Sequence, residues 1–259
     1  MITTDFVPGS PCWVDLTAPD IDAAGEFYGA VFGWELDRVT ERYGFFRQDG
    51  KAVGVVGRIH NGAGPGWTPY FSAPEADAAA AAVQAAEGTV RTAPYTMGDE
   101  GRLGQFTDPL GGRFGVWEPG QVPGMEAADT VGTLCWTELC TSDLAAATDF
   151  YVKVFGWQTQ DMAMPGGEGT YRLITPAGLG EDRAAGGAVE MPAQELPGGT
   201  AYWQPAFAVA DCDATAARVT ESGGRVTLGP EYAEGVGRFA VCTDPSGAPF
   251  VLLPPSKPA

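Results

Sequence analysis

One stretch of this chain occurs twice, and that duplication limits its possible folds more than any other feature. Phe27-Tyr28-Gly29-Ala30-Val31-Phe32-Gly33-Trp34 returns as Phe150-Tyr151-Val152-Lys153-Val154-Phe155-Gly156-Trp157, with Phe-Tyr, Val-Phe-Gly and Trp unchanged. Upstream, Cys12-Trp13-Val14-Asp15-Leu16-Thr17 aligns with Cys135-Trp136-Thr137-Glu138-Leu139-Cys140 at the same offset of 123 residues. Downstream, Thr107-Asp108-Pro109-Leu110-Gly111-Gly112 is echoed by Thr243-Asp244-Pro245-Ser246-Gly247-Ala248 at an offset of 136, so about thirteen additional residues sit inside the second copy. A self-match of this extent marks duplication of a whole domain and divides the chain into residues 1–122 and 123–259.

With 44% hydrophobic residues, each copy can build an ordinary core. A net charge of −18 argues against nucleic-acid and anionic-membrane surfaces, which want basic patches, and neither is expected as a partner. No basic stretch followed by an apolar run opens the chain, and no apolar segment is long enough to span a bilayer; a cytoplasmic location is the expectation. Five cysteines without a Cys-x-x-Cys pair read as buried thiols in a reducing compartment.

Residues 1–10 read as a loose leader. From Cys12 to Thr17 the alternation is that of a half-buried strand, with Trp13 and Asp15 on one face and Cys12, Val14 and Leu16 on the other. Asp20 is placed to cap a helix over Ile21–Phe32, whose apolar positions Ile21, Ala24, Phe27, Tyr28 and Val31 follow the helical period, and Gly33 to stop it. Three short strands follow, near Trp34–Val39, Tyr43–Asp49 and Ala52–Ile59. After a glycine-rich loop the same β-α-β-β-β order restarts, with a strand at Trp67–Ala73, an alanine-rich helix at Glu75–Glu87 and three more strands. Residues from about Pro119 to Thr130 link the copies, and the second copy repeats the order. Its additional residues, in Pro165–Gly169 and the Ala177–Gly187 region, are either lids or plain insertions.

A paired βαβββ unit with Phe-Tyr-x-x-Val-Phe-Gly-Trp after its first strand and Asp-Pro-x-Gly before its last resembles the vicinal oxygen chelate superfamily. This superfamily includes glyoxalase I, extradiol dioxygenases and the bleomycin- and fosfomycin-resistance proteins. Within it the chain is most similar to tandem-domain actinobacterial proteins of the glyoxalase-like or hydroxylase-like kind. The resemblance implies an α+β fold of two tandem domains, each built of two βαβββ units curling into a cup-shaped mixed sheet. It also implies a divalent metal held by residues on the concave face. The positions matching those ligands hold Trp13, Thr68 and Glu118 in the first copy and Trp136, Gln204 and Pro254 in the second. Catalytic metals want about three imidazole, carboxylate or thiolate ligands, and the whole chain has one histidine, His60. The expectation is therefore no metal and no cofactor.

Strand parity assigns Trp13, Asp15, Thr68, Tyr70, Val116 and Glu118 to one cup, and Trp136, Glu138, Tyr202, Gln204 and Leu252 to the other. An aromatic floor with a few acceptors suits a flat aromatic ligand, such as an antibiotic or other natural product. The alternative is that both tryptophans plug degenerate cavities. Arg102 and Arg238, equivalent across the repeat, are candidates to pair with the carboxylate of their own copy or to meet an anionic ligand group. Asp108 and Asp244 are explained by turn chemistry, and Tyr28 and Tyr151 by the helix core stripe. The reading is metal-independent binding of an aromatic small molecule, for sequestration or for presentation to a partner biosynthetic enzyme. The alternative is a glyoxalase-like or hydroxylase-like enzyme using the same cups, with Asp15 or Glu138 as acid or base. No catalytic residue is identified.

Overall fold

A computed structural model describes residues 1–59, 64–164 and 169–256. The first repeat contains β1 (Pro11–Ala18), α1 (Ile21–Phe32), β2 (Glu35–Thr40), β3 (Tyr43–Gln48), β4 (Lys51–Arg58), β5 (Gly66–Ser72), α2 (Ala76–Ala85), β6 (Thr89–Met97), β7 (Gly101–Thr107) and β8 (Arg113–Pro119). The second contains β9 (Leu134–Thr141), α3 (Leu144–Phe155), β10 (Gln158–Ala163), β11 (Thr170–Thr175), β12 (Gly186–Glu190), β13 (Tyr202–Ala208), α4 (Cys212–Glu221), β14 (Arg225–Ala233), β15 (Gly237–Thr243) and β16 (Pro249–Leu253). Three one-turn 3₁₀ helices lie between β11 and β13, the first of them, Glu181–Arg183, within the additional Ala177–Gly187 region; residues 165–168 of the other additional segment lie outside the described residues.

Two eight-stranded mixed sheets result, ordered β2-β3-β4-β1-β5-β8-β7-β6 and β10-β11-β12-β9-β13-β16-β15-β14. This is the α+β architecture of four βαβββ units in two tandem copies that the repeat predicts. The described residues contain no helix long and apolar enough to cross a membrane.

Local chemistry explains the helices. Asp20 accepts from the backbone amides of Asp22 and Ala23, and Asp143 accepts from that of Ala146. Gly33 and Gly156, at φ 79° and 69°, end α1 and α3 in the left-handed conformation, each returning its amide to the preceding turn. The five α1 positions expected to be apolar and inward are its buried residues.

Backbone contacts gather the chain into two compact units, and each unit draws on both copies. One comprises Met1–Cys12, Pro69–Gly124 and Thr137–Trp203; the other comprises Trp13–Thr68, Met125–Trp136 and Gln204–Ala259. In the first, Phe71, Phe106, Phe114, Phe150, Tyr151 and Trp203 share one core, with α2 and α3 in contact. In the second, Tyr28 packs against Phe27, Trp34, Phe46, Trp67 and Phe250, and α1 meets α4. A fully buried aromatic ring of this kind stabilises a fold by about 2–3 kcal/mol relative to exposure.

One expectation needs correction. The N-terminal segment is not a loose leader: the Met1 amino group donates to the Asp182 carbonyl at 3.0 Å, Gly9 N–H donates to Ser72 O at 2.8 Å, and Ile2 is 2% exposed. The segment after β8 carries no helix or strand before β9 and links the copies as expected, while Met125 is buried and Glu126 Oε2 accepts from Ala52 N at 2.6 Å.

Candidate functional site

Each half-sheet has one face covered by its helix and one turned away from it. In β1, Cys12, Val14, Leu16 and Ala18 are fully buried, while Asp15 and Thr17 are only half-buried. Trp13 and Asp15 therefore lie on the open face, as their alternation implies. Trp13, 7% exposed, packs against Phe45 of β3 with ring centroids 6.1 Å apart. Tyr43 meets Phe45 edge-on at 5.4 Å, and the Arg47 guanidinium stands 5.7 Å over the Phe45 ring. Phe45 and Tyr43 are half-buried, so aromatic surface remains accessible beside Trp13. Sequence reasoning left Tyr43 and Phe45 unassigned, although the alternation Tyr43-x-Phe45-x-Arg47 was the available signal.

On β9 the alternation also holds: Leu139 enters the core and Glu138 takes the open face. Glu138 Oε1 accepts from the Tyr171 hydroxyl at 3.0 Å, across Gly187, where a Cβ would overlap the Tyr171 ring. Tyr202 lies near Glu138 and Cys140. Burial first, and then the neighbouring Cys140, raise the Tyr202 phenol above its ordinary range. Burial and the Glu138 charge do the same to the Cys140 thiol. Trp136 is half-buried and Gln204 buried. All five cysteines are buried, and burial raises the Cys212 thiol to about 11 and the Cys242 thiol to about 12.

On β5, Trp67 and Phe71 enter the two cores, leaving Thr68 and Tyr70 on the open face. Tyr70 stands opposite Gly115 of β8, where a Cβ would overlap its ring.

Five expected site residues, Arg102, Val116, Glu118, Arg238 and Leu252, occupy the other face. Phe114 and Val116 belong to the core, and Glu118, two residues further along β8, shares their side. Its Oε2 accepts from Ala76 N at 2.8 Å, at the start of α2, and from Arg102 Nη1 at 3.2 Å. Arg102 also pairs with Asp77 of α2 at 2.9 Å. In the second copy Leu252 is fully buried, in phase with Phe250 of the core, and Arg238 donates to Asp213 Oδ1 of α4 at 2.6 Å. Arg102, Glu118 and Arg238 thus secure helices, and Val116 and Leu252 fill the core. The carboxylates that meet the arginines are Asp77, Glu118 and Asp213, not Asp15 or Glu138.

The metal implied by the resemblance does not fit the donors present. Trp13, Trp136 and Thr68 supply no ligand of the required kind, and Glu118 is committed to α2. Among the described residues no group of three His, Cys, Asp or Glu side chains is placed to hold an ion. His60 lies outside the described residues.

The Asp-Pro turns have the structural role assigned to them and a further one. Asp108 Oδ1 accepts from Leu110 N and Gly112 N, both at 2.8 Å, and Asp244 Oδ1 accepts from Ser246 N and Ala248 N. The second carboxylate oxygen of each turn receives a buried tyrosine hydroxyl, Tyr151 for Asp108 and Tyr28 for Asp244.

Comparison with known proteins agrees with this architecture. The family model described as Glyoxalase/Bleomycin resistance protein/Dioxygenase superfamily matches residues 12–116 and 133–252. The chain is 35% identical over 262 residues to CFP32 of Mycobacterium tuberculosis, which carries a glyoxylase designation, covering 98% of this chain and 97% of that one. It is 35% identical over 271 residues to the anthracycline biosynthesis protein DnrV of Streptomyces peucetius, covering 96% and 94%. Among solved structures, an Mn(II)-bound glyoxalase from Novosphingobium aromaticivorans superposes with a TM-score of 0.64 at 17% identity, covering 96% of this chain and 85% of that one. The 2,3-dioxygenase LapB from Pseudomonas sp. KL28 gives 0.63 at 14% identity, covering 96% and 92%. The chain belongs to the glyoxalase/bleomycin resistance protein/dioxygenase superfamily.

Proposed function

We propose that this protein binds an aromatic small molecule without a metal ion, and either sequesters it or presents it to a partner enzyme of a biosynthetic route. The observation that carries the reading is the aromatic strip Trp13–Phe45–Tyr43 on the open face of β1 and β3, beside Asp15. A flat ring laid on Phe45 and Tyr43 would gain edge and face contacts worth about 0.5–1.5 kcal/mol per aromatic pair beyond its buried area. In this reading Asp15 would orient a hydroxyl of such a ligand. The similarity to an anthracycline biosynthesis protein favours a fused-ring natural product as the ligand class.

The test is titration with hydroxylated anthraquinones, followed by calorimetry and by quenching of tryptophan fluorescence, in wild type, Phe45→Ala and Trp13→Phe. Saturable binding that weakens about tenfold in Phe45→Ala, with folding intact, is expected, corresponding to about 1.4 kcal/mol. Absence of saturable binding across the series would remove the proposal.

A second reading, catalysis on the same kind of molecule, is favoured by the Glu138–Tyr171 pair, a carboxylate and a hydroxyl 3.0 Å apart on an open face. Turnover abolished in Glu138→Gln, while ligand affinity persists, would place this reading first.

A further inference from the structure

The open face of β5 to β8 carries a hydrogen-bonded row across four strands. The Tyr70 ring of β5 lies across Gly115 of β8, and its hydroxyl accepts from Gln105 Nε2 of β7 at 2.7 Å. Gln105 Oε1 in turn accepts from Thr92 Oγ1 of β6 at 3.2 Å. Two arginines flank this row. Arg113 opens β8, opposite Thr107 of β7, and is in phase with Gly115, which puts it on the Tyr70 side. Arg91 sits in the register shift between Val90 and Thr92, where β6 bulges against β7.

Arg91 and Arg113 are two of six arginines that form no ion pair with a carboxylate among the described residues, together with Arg42, Arg58, Arg218 and Arg225. Arg38, Arg47, Arg102, Arg172, Arg183 and Arg238 each meet a carboxylate. Among the described residues Arg91 and Arg113 have no acidic partner, although acidic residues outnumber basic ones by 33 to 15. Instead they face each other's charge: partial burial and then Arg113 lower the proton affinity of Arg91, against an opposing contribution from Tyr70. Like charges left together without a counterion are unfavourable, and an anion between them reverses the sign.

The duplication supplies an internal control. At the offset of 136 residues, Tyr70, Gln105, Arg91 and Arg113 become Ala206, Val241, Thr227 and Pro249. The corresponding face of β13 to β16 is an apolar cluster that includes Ala206, Val251 and Val241. The strands keep their geometry there without the polar row, so the fold does not require it.

We propose that Arg91 and Arg113 form an anion-binding fork beside the Tyr70–Gln105–Thr92 row, which takes the carboxylate of a small organic acid. Guanidinium groups match a carboxylate in planar, paired hydrogen bonds, and the uncharged amide and hydroxyls of the row fix the neighbouring part of the ligand. The proposal rests on this face alone and is independent of the Trp13–Phe45 strip.

The experiment uses 2-naphthoate and its neutral counterpart 2-naphthamide, titrated by calorimetry into wild type, Arg91→Gln, Arg113→Gln and the double variant. Naphthoate is expected to bind wild type at least about tenfold more tightly than naphthamide, and to lose about tenfold in each single variant. Naphthoate should also raise the melting temperature of wild type but not of the double variant. Because neither arginine holds a partner, the variants should melt no lower than wild type without ligand. Naphthoate affinity that survives the double substitution, matches that of naphthamide, or is absent altogether would overturn the fork. Loss of naphthoate binding in the variants with anthraquinone binding unchanged would support the fork and leave the aromatic strip standing separately.

Discussion

Tyr151 of helix α3 donates its hydroxyl proton to Asp108 Oδ2 at 2.9 Å, joining the helix of the second repeat to the Asp-Pro turn of the first. The same bond, reversed between copies, links Tyr28 of α1 to Asp244 at 3.2 Å. Each tyrosine oxygen also accepts an indole N–H, from Trp203 at 2.8 Å and from Trp67 at 3.0 Å. The two most recognisable motifs of the sequence, Phe-Tyr and Asp-Pro-x-Gly, are therefore partners of one another across the repeat. That pairing accounts for compact units that each take half of both copies.

Removing the hydroxyl tests this link. Tyr151→Phe leaves the buried Trp203 indole without its acceptor and takes one donor from Asp108; Tyr28→Phe does the same to Trp67 and Asp244. Unsatisfied buried groups of this kind cost about 1–3 kcal/mol. Each variant should lose stability in that range in urea unfolding, with ligand affinity unchanged. A loss below about 0.5 kcal/mol in both would mean the bonds contribute nothing net.

Asp108 makes the stability depend on pH in a defined sense. Burial raises its carboxyl above the usual range despite the amides of Gly112 and Leu110 and the Tyr151 hydroxyl, which oppose that shift. The folded state therefore keeps this proton to a higher pH than the unfolded chain, whose value is about 3.9. Stability from this group is greatest below the unfolded value and falls as pH rises through the folded one. Asp108→Asn does not titrate. The stability advantage of wild type over this variant should shrink as pH rises above the unfolded value and through the raised folded one, measured by denaturant unfolding at each pH. A constant difference across that range would count against a raised Asp108.

What the sequence could disclose follows from how each strand is buried. Around Trp13–Asp15 and Trp136–Glu138 one face is partly polar, so alternation carries a phase and the open face was legible. The last strand of each copy, Phe114-Gly115-Val116-Trp117 and Phe250-Val251-Leu252, is buried on both sides, so its apolar run carries none. Val116, Glu118 and Leu252 were consequently assigned to the wrong face. Arg102 and Arg238 were correctly matched to each other, but their carboxylates lie on the neighbouring helices. The anchoring of residues 1–10 depends on partners as far away as Asp182, beyond any local pattern. Arg91 was hidden by the β6 bulge, which moves it out of simple alternation.

The corrected position of Glu118 gives a third prediction. Its carboxylate satisfies the Ala76 amide in the first turn of α2 and holds Arg102, while the α2 N-cap residue Glu75 makes no side-chain cap bond. Glu118→Ala should cost about 1–2 kcal/mol, as loss of a helix cap does. Anthraquinone and naphthoate affinities should not change. Stability near that of wild type together with weakened ligand binding would return Glu118 to the site.

The last prediction concerns metal. Among the described residues no three ligating side chains converge, and the first-strand positions that would begin such a site carry Trp13 and Trp136, whose indoles offer no lone pair to an ion. Protein purified without chelators should contain well below one equivalent of zinc, iron, nickel or manganese by mass spectrometry, before and after soaking in each ion. A resident metal held at even a hundredfold excess over its dissociation constant would stabilise the fold by about 2.7 kcal/mol. Chelator would then lower the melting temperature by several degrees, whereas no shift is expected. Stoichiometric metal with a chelator-sensitive melting temperature would mean that ligands outside these strand positions assemble a site. The enzymatic reading would then displace metal-free binding.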